Sequence, residues 1–258
     1  MNKIEEPKKD LWNAEHYKKH AKGQFERGKK AVESLGFVGN EHVLDIGCGD
    51  GRITAEIAKH IPNGVVVGID ISENMINDAK KSFGAISNVS FVQTDATTFM
   101  SDKKFDIVVS FATLHWIKHQ KKVLQNIFAV LKPGGRLYFI MAATNKGPIS
   151  TVFASKKWRP YLLKQEPVFF SQDPETMASM LRESGFKDIV VDVESLESVM
   201  LEKDEIVNRA MAWVPHATGF NHETALSFSH DIADEVARQK KGAMLMSSTL
   251  LHARAVKP

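Results

Sequence analysis

The 258-residue chain has a single cysteine, Cys48. That excludes an intrachain disulfide and any cysteine-based zinc cluster. The N-terminus is polar and carries no apolar signal core. No apolar run approaches the ~20 residues that cross a bilayer, so a cytoplasmic protein with no membrane partner is expected. An excess of one charge is also missing, the formal net charge being +3, so composition does not mark a nucleic-acid binder. The excess lies in short pairs, Lys8-Lys9, Lys18-Lys19, Lys29-Lys30, Lys121-Lys122 and Lys240-Lys241, which read as solvated faces. The ten histidines show no compact ligand spacing, and no metal is expected. Internal repeats and low-complexity segments are absent, and nothing in the sequence sets the oligomeric state.

What is present is ordinary for a globular chain, with 43 % hydrophobic and 25 % charged residues. Such a length buries a full core without staples. From Trp12 to Leu35 the pattern is helical, with Tyr17, Phe25, Ala31, Val32 and Leu35 as expected buried positions. Gly36 and Gly39 end it. Short apolar strands then alternate with amphipathic helices. Strands are expected at His42–Ile46, Val65–Ile69, Val89–Gln93, Phe105–Phe111, Leu137–Met141, Ile189–Val193 and Ser248–Val256. Ser72 and Asp173 are expected helix caps, with Pro174 at the first helical position. Lys132-Pro133-Gly134-Gly135 reads as a turn that starts the fifth strand. The alternation indicates a doubly wound α/β fold with a mainly parallel sheet. Two stretches, about 143–172 and about 195–241, interrupt it and read as helical insertions covering a site. The expected organisation is an N-terminal helical lid over 1–35 and one domain over 36–258 that carries both insertions.

Most information sits in Val43-Leu44-Asp45-Ile46-Gly47-Cys48-Gly49-Asp50-Gly51. An apolar strand runs into a glycine-rich turn, and a helix follows. Glycines there permit positive φ and close approach of a ligand, in the crevice where open α/β sheets bind ligands. The dinucleotide fingerprint G-x-G-x-x-G is not met, because Arg52 takes the place of the third glycine. Asp70 ends the second strand about twenty residues on, where a carboxylate accepts from ribose hydroxyls. Asp95, after the third strand, is placed to accept from an adenine amino group. Their bland readings are a helix-capping and a loop-capping Asp.

These features together resemble the class I S-adenosylmethionine-dependent methyltransferases. The residues that carry the resemblance are LDIGCGDG, GID at 68–70, QTDA at 93–96, FDIVVSFATLHW at 105–116 and LKPGGRLYF at 131–139. The family implies a seven-stranded Rossmann-like sheet with an antiparallel last strand, and S-adenosyl-L-methionine as cofactor. Carried onto this chain, the donor site comprises Asp45, Gly47, Cys48, Gly49, Asp70, Ile71, Met75, Asp95, Ala96 and Phe111. A narrower resemblance, through WNAEHYKKHAKGQ at 12–24 and LHW at 114–116, is to the trans-aconitate and juvenile hormone acid methyltransferases. There a Gln and a Trp help to hold the acceptor carboxylate, which points to Gln24 and Trp116.

The expected reaction is therefore O-methylation of a small carboxylic acid. A carboxylate is ionised at neutral pH and needs no general base, only neutral donors to orient it, which the Gln24 amide and the Trp116 indole N–H supply. His115 is the alternative actor, as a base for a hydroxyl or amine acceptor, or else a partly buried histidine with a backbone partner. Trp158, Phe169, Phe170, Trp213 and Phe220 either line an apolar acceptor pocket or form the core of the insertions. Nucleic-acid methylation is disfavoured: Ser110-Phe111-Ala112-Thr113 replaces the base-stacking motif of adenine methyltransferases, and Cys48 lies in the donor loop. Methylation of tRNA at other atoms stays open. So do methyl transfer to hydroxyl, amine or carbon, a non-catalytic donor-binding protein, and a nicotinamide oxidoreductase, the last disfavoured by Arg52.

Overall fold

Leu44 and Ile46 pack in one core while Val43 packs in another, although all three lie in the first strand. Side chains of a strand leave on alternate faces, and a strand covered on both sides feeds two cores at once. The computed structural model describes residues 10–143, 147–163, 169–196, 201–239 and 248–258. The Lys8-Lys9 and Lys240-Lys241 pairs lie outside them.

Strands β1 (His42–Ile46), β2 (Val65–Asp70), β3 (Val89–Gln93), β4 (Phe105–Phe111), β5 (Leu131–Ala142), β6 (Lys187–Leu196) and β7 (Ser248–Val256) form one seven-stranded sheet. Its order is β3-β2-β1-β4-β5-β7-β6. The first five strands are parallel to one another, and β7 runs antiparallel between β5 and β6. This is the doubly wound, mostly parallel sheet expected from the alternation. The strand order reverses between β1 and β4, so a crevice opens at their carboxyl ends.

Helices α1 (Ala14–His20), α2 (Lys22–Ser34), α3 (Arg52–His60) and α4 (Glu73–Phe83) precede β3. A turn of 3-10 helix, Leu114–Trp116, follows β4, and α5 (Gln120–Val130) leads into β5. One face of the sheet packs Leu44, Phe139, Leu124, Ile127 and Leu181 together, and the other packs Val43, Ile57, Ile61 and Val109 with Val32 of α2. After β5 come α6 (Pro148–Ala154), α7 (Arg159–Leu162), α8 (Pro174–Glu183), α9 (Lys203–Met211), α10 (Val214–Thr218) and α11 (His222–Gln239). Helices α6, α9, α10 and α11 share a separate core that includes Trp158, Phe220 and Phe228. Both predicted caps form: Ser72 Oγ accepts from Met75 N–H at 3.1 Å, and Asp173 Oδ1 from Thr176 N–H at 2.9 Å.

Three expectations are corrected. The single helix over Trp12–Leu35 is two, broken at Ala21, whose φ and ψ of −98° and 23° are not helical. The break lets α1 lie against α4 and α9 while α2 follows α3. Strand β5 begins at Leu131, because that buried residue pairs with Phe105 before the chain bulges through Pro133-Gly134-Gly135 and resumes pairing at Arg136. Strand β6 outruns its apolar stretch at both ends, since an outer strand carries polar residues facing solvent. Ala31 and Val32 are buried as expected, whereas Tyr17, Phe25 and Leu35 are half-buried.

Candidate active site

The β1–α3 loop folds back on the end of β2. Gly47 and Cys48 both donate backbone N–H to the Ile69 carbonyl, at 2.7 and 3.0 Å. Gly47 has φ +71°, and a Cβ there would fall 2.1 Å from the Thr113 side chain, so no other residue fits. Gly49, at φ +54°, has nothing within 4 Å of where its Cβ would stand. Its backbone is thus bare toward the crevice, as a closely approaching ligand requires.

Three carboxylates gather at this loop. Asp45 is buried and accepts from the Thr54 hydroxyl at 2.6 Å. Burial pushes its pKa up to about 7, against the pull of that hydrogen bond. Asp70 Oδ2 accepts from Gly49 N–H at 3.0 Å and Oδ1 from Ser72 N–H at 2.9 Å, and burial raises its pKa too. Asp50 pairs with Arg52 Nε at 2.7 Å. Cys48 is buried and its thiol is held protonated by burial, so it packs and does not react.

A cavity of about 60 Å³ lies over the loop. Asp45, Gly47, Cys48, Gly49 and Asp50 form its floor, Phe111 and Ala112 one wall, and Tyr17, Ala21, Gln24 and Phe25 its roof. Residues from three separate parts of the sequence thus meet, Gln24 among them. Asp70 joins through Gly49. Further along the same sheet edge Met75 is buried at the start of α4, Ile71 is 61 % exposed, and Asp95 Oδ1 accepts from Thr97 N–H at 2.7 Å. The Ala96 carbonyl accepts from Asn126 Nδ2 at 3.0 Å, which fixes that loop to α5.

The chemistry of this donor set fits a cationic nucleoside ligand. Asp45 and Asp50 line the cavity with carboxyl groups that would face the cationic part of S-adenosylmethionine, Asp70 at the end of β2 would take its ribose hydroxyls, and the bare Gly49 backbone would admit its close approach. Sequence reasoning did not assign Tyr17, Ala21, Phe25, Asp50, Arg52, Ile53 or Ala112 to this site. Ala112 holds a φ of +56°, rare for a side chain that bears Cβ and a frequent mark of a functional turn. No motif signals it.

Beyond Phe111 the chain turns through Leu114–Trp116. His115 is 5 % exposed, and its Nδ1 accepts from Ala142 N–H at 3.2 Å. Burial drops its pKa to about 3. Its ring packs on Trp116 and Phe169, with centroids at 5.0 Å in each case. Trp116 lies among Trp12, Phe169, Trp213 and His216. Of the five aromatic residues singled out in the insertions, Phe169 and Trp213 pack against Trp116. Trp158 and Phe220 are core, and Phe170 is tied by backbone to His115 and Gln120.

Comparison with known proteins agrees with this geometry. The family profile described as a methyltransferase domain matches residues 38–185, more than half of the chain. The chain belongs to this family. It is 32 % identical to the juvenile hormone acid O-methyltransferase of Bombyx mori over 189 residues, covering 68 % of this chain and 67 % of that one. It is 35 % identical over 98 residues to malonyl-[acyl-carrier protein] O-methyltransferase 2 of Ilyobacter polytropus, covering 38 % of each. The chain thus spans well under two thirds of the length of the latter relative. A Haemonchus contortus phosphoethanolamine N-methyltransferase 2, solved with phosphomonomethylethanolamine and S-adenosylhomocysteine, shares the fold. Its TM-score is 0.65 at 19 % identity, over 95 % of this chain and 57 % of that one. No helix among the described residues is long and apolar enough to cross a membrane.

Proposed function

We propose that the protein methylates the carboxylate of a small organic acid. The observation that carries this reading is the bond from the Tyr17 hydroxyl to Gln24 Oε1, at 2.8 Å. With its oxygen held, the Gln24 amide offers N–H donors at the roof of the donor cavity. The Trp116 indole, ringed by Trp12, Phe169, Trp213 and His216, carries a second neutral donor in its N–H. Two such donors orient an oxyanion without trapping it as an ion pair.

The bound cofactor supplies an electrophilic methyl carbon. The chain's own residues hold the acceptor oxygen in line, roughly 3–3.5 Å from that carbon, and exclude water by closing α1 and α2 over the loop. No residue has to remove a proton from a carboxylate. That suits His115, whose pKa of about 3 makes it a weak base. The similarity to carboxyl methyltransferases supports the reading, while the phosphoethanolamine N-methyltransferases among the relatives keep an amine acceptor as the second one.

Transfer of labelled methyl to a panel of small carboxylic acids, with each product tested for lability to mild base, decides between them. Base-labile label on one acid class supports a carboxyl ester. Donor binding without any labile product would sink the carboxylate reading and move the search to amines, hydroxyls, carbon acceptors and tRNA.

A further inference from the structure

The N-terminal segment is fastened at both ends of the crevice. Asp10 Oδ2 accepts from the Ser72 hydroxyl at 2.8 Å and from Asn74 N–H at 3.1 Å, two to four residues past Asp70. Asn74 Nδ2 donates to the Trp12 carbonyl at 3.1 Å. On the other side, His16 Nε2 lies 3.0 Å from the Asn208 carbonyl of α9. The segment therefore bridges the donor edge and the helical insertion, and its side chains roof the donor cavity between them.

Trp12 stands at the middle of this bridge. Its ring stacks on His216 with centroids 4.5 Å apart and planes at 29°. It meets Trp116 edge-on at 5.7 Å and Tyr17 edge-on at 5.9 Å. One side chain thus touches a residue lining the donor cavity and the residue assigned to hold the acceptor.

We propose that Trp12 is a further acceptor-site residue, delivered beside Trp116 only while the N-terminal segment is docked over the donor cavity, so that donor occupancy completes the acceptor site. The acceptor part rests on the placement of the substrate beside Trp116 given above. The physical cause is shared contact. A ligand that packs beneath Tyr17, Ala21 and Phe25 stabilises the docked segment, and the docked segment carries Trp12. The order of binding follows: donor first, acceptor second.

Hydrogen exchange of the full chain, with and without saturating S-adenosylhomocysteine, tests the coupling without any acceptor. The ligand is expected to slow exchange in the glycine loop, in residues 13–24 and in α10, the last by about tenfold. Trp12→Ala should keep the ligand's Kd within about threefold and keep the glycine-loop protection, yet lose the effect on α10. Trp12→Phe, a milder change should the alanine variant fold poorly, retains most of it. Asp10→Ala, which leaves the ring intact, reduces it. Protection confined to the glycine loop, or α10 protection in Trp12→Ala equal to that of the parent, overturns the coupling. With an acid identified by the panel, Trp12→Ala should raise its KM about tenfold with kcat less affected; an unchanged KM overturns the acceptor role. A panel that yields no ester leaves the exchange result standing by itself.

Discussion

The Thr54 hydroxyl donates to Asp45 Oδ2 at 2.6 Å, and it lowers the pKa of a carboxyl group that burial has raised to about 7. A cationic donor favours the ionised carboxylate. Donor affinity should therefore rise as pH climbs through about 7 and level off above it. Calorimetry at pH 6.5 in two buffers of different ionisation enthalpy should show proton release on binding. Thr54→Val removes a bond to the charged form, so its inflection should move to higher pH. Asp45→Asn should abolish the inflection. The stability sign is the reverse of the usual carboxylate case. Between pH 4 and 7 the folded state holds a proton that the unfolded chain has lost, so this group's contribution to stability falls as pH rises across that window.

Gly47 and Gly49 should separate folding from binding. Gly47→Ala forces a Cβ to 2.1 Å from Thr113 and should lower both Tm and donor affinity. Gly49→Ala meets nothing within 4 Å, so its penalty is the left-handed backbone alone, about 1–2 kcal/mol. It should stay folded yet bind the donor at least about tenfold more weakly, because the free space belongs to the ligand. Normal donor binding by Gly49→Ala would show that the loop does not approach the ligand there.

Gln24→Ala should lower kcat/KM for the acid acceptor by about tenfold or more with donor affinity unchanged. Tyr17→Phe removes only the neutral bond that orients Gln24, worth about 1 kcal/mol, so a loss of about fivefold is expected. Steady-state kinetics on both variants, beside donor titrations, tests the pair.

His115→Phe leaves the Ala142 N–H without its acceptor and should reduce stability by about 1–3 kcal/mol. His115→Asn returns an acceptor atom and should restore most of it. With the donor saturating, neither the parent nor the asparagine variant should show a limb near pH 6.5 in kcat/KM for the acceptor. Such a limb, present in the parent and lost in His115→Asn, would assign His115 a proton-transfer role.

The donor half of the site was legible because its constraints are local. Gly47 is imposed by the positive φ of the turn after β1, Asp70 by its place at a strand end, and Ser72 by the cap it forms. Of the roof only Gln24 was legible, and only through resemblance, because Tyr17, Ala21 and Phe25 reach the loop by tertiary packing that no periodicity encodes. Ala21 carries no breaker signal, so the split between α1 and α2 was invisible. Trp12 and His216 stand far apart in sequence, and only the fold brings their rings together. The polar ends of β6 escaped for a different reason: hydrophobic pattern detects buried faces, and an outer strand has few of them.

The placement of β7 also bears on how the protein is made. Within the sheet β6 pairs only with β7, and β7 fills the space beside β5. Every other strand precedes it in the chain. A ribosome working at about 5–20 residues per second leaves roughly 5–20 seconds between completing β5 and completing β7. Through that interval β5 presents an apolar, unpaired edge, and β6 has no partner in the sheet. The nascent chain is thus most exposed to misassociation late in synthesis, and chaperone contact should concentrate on the segment from β5 onward.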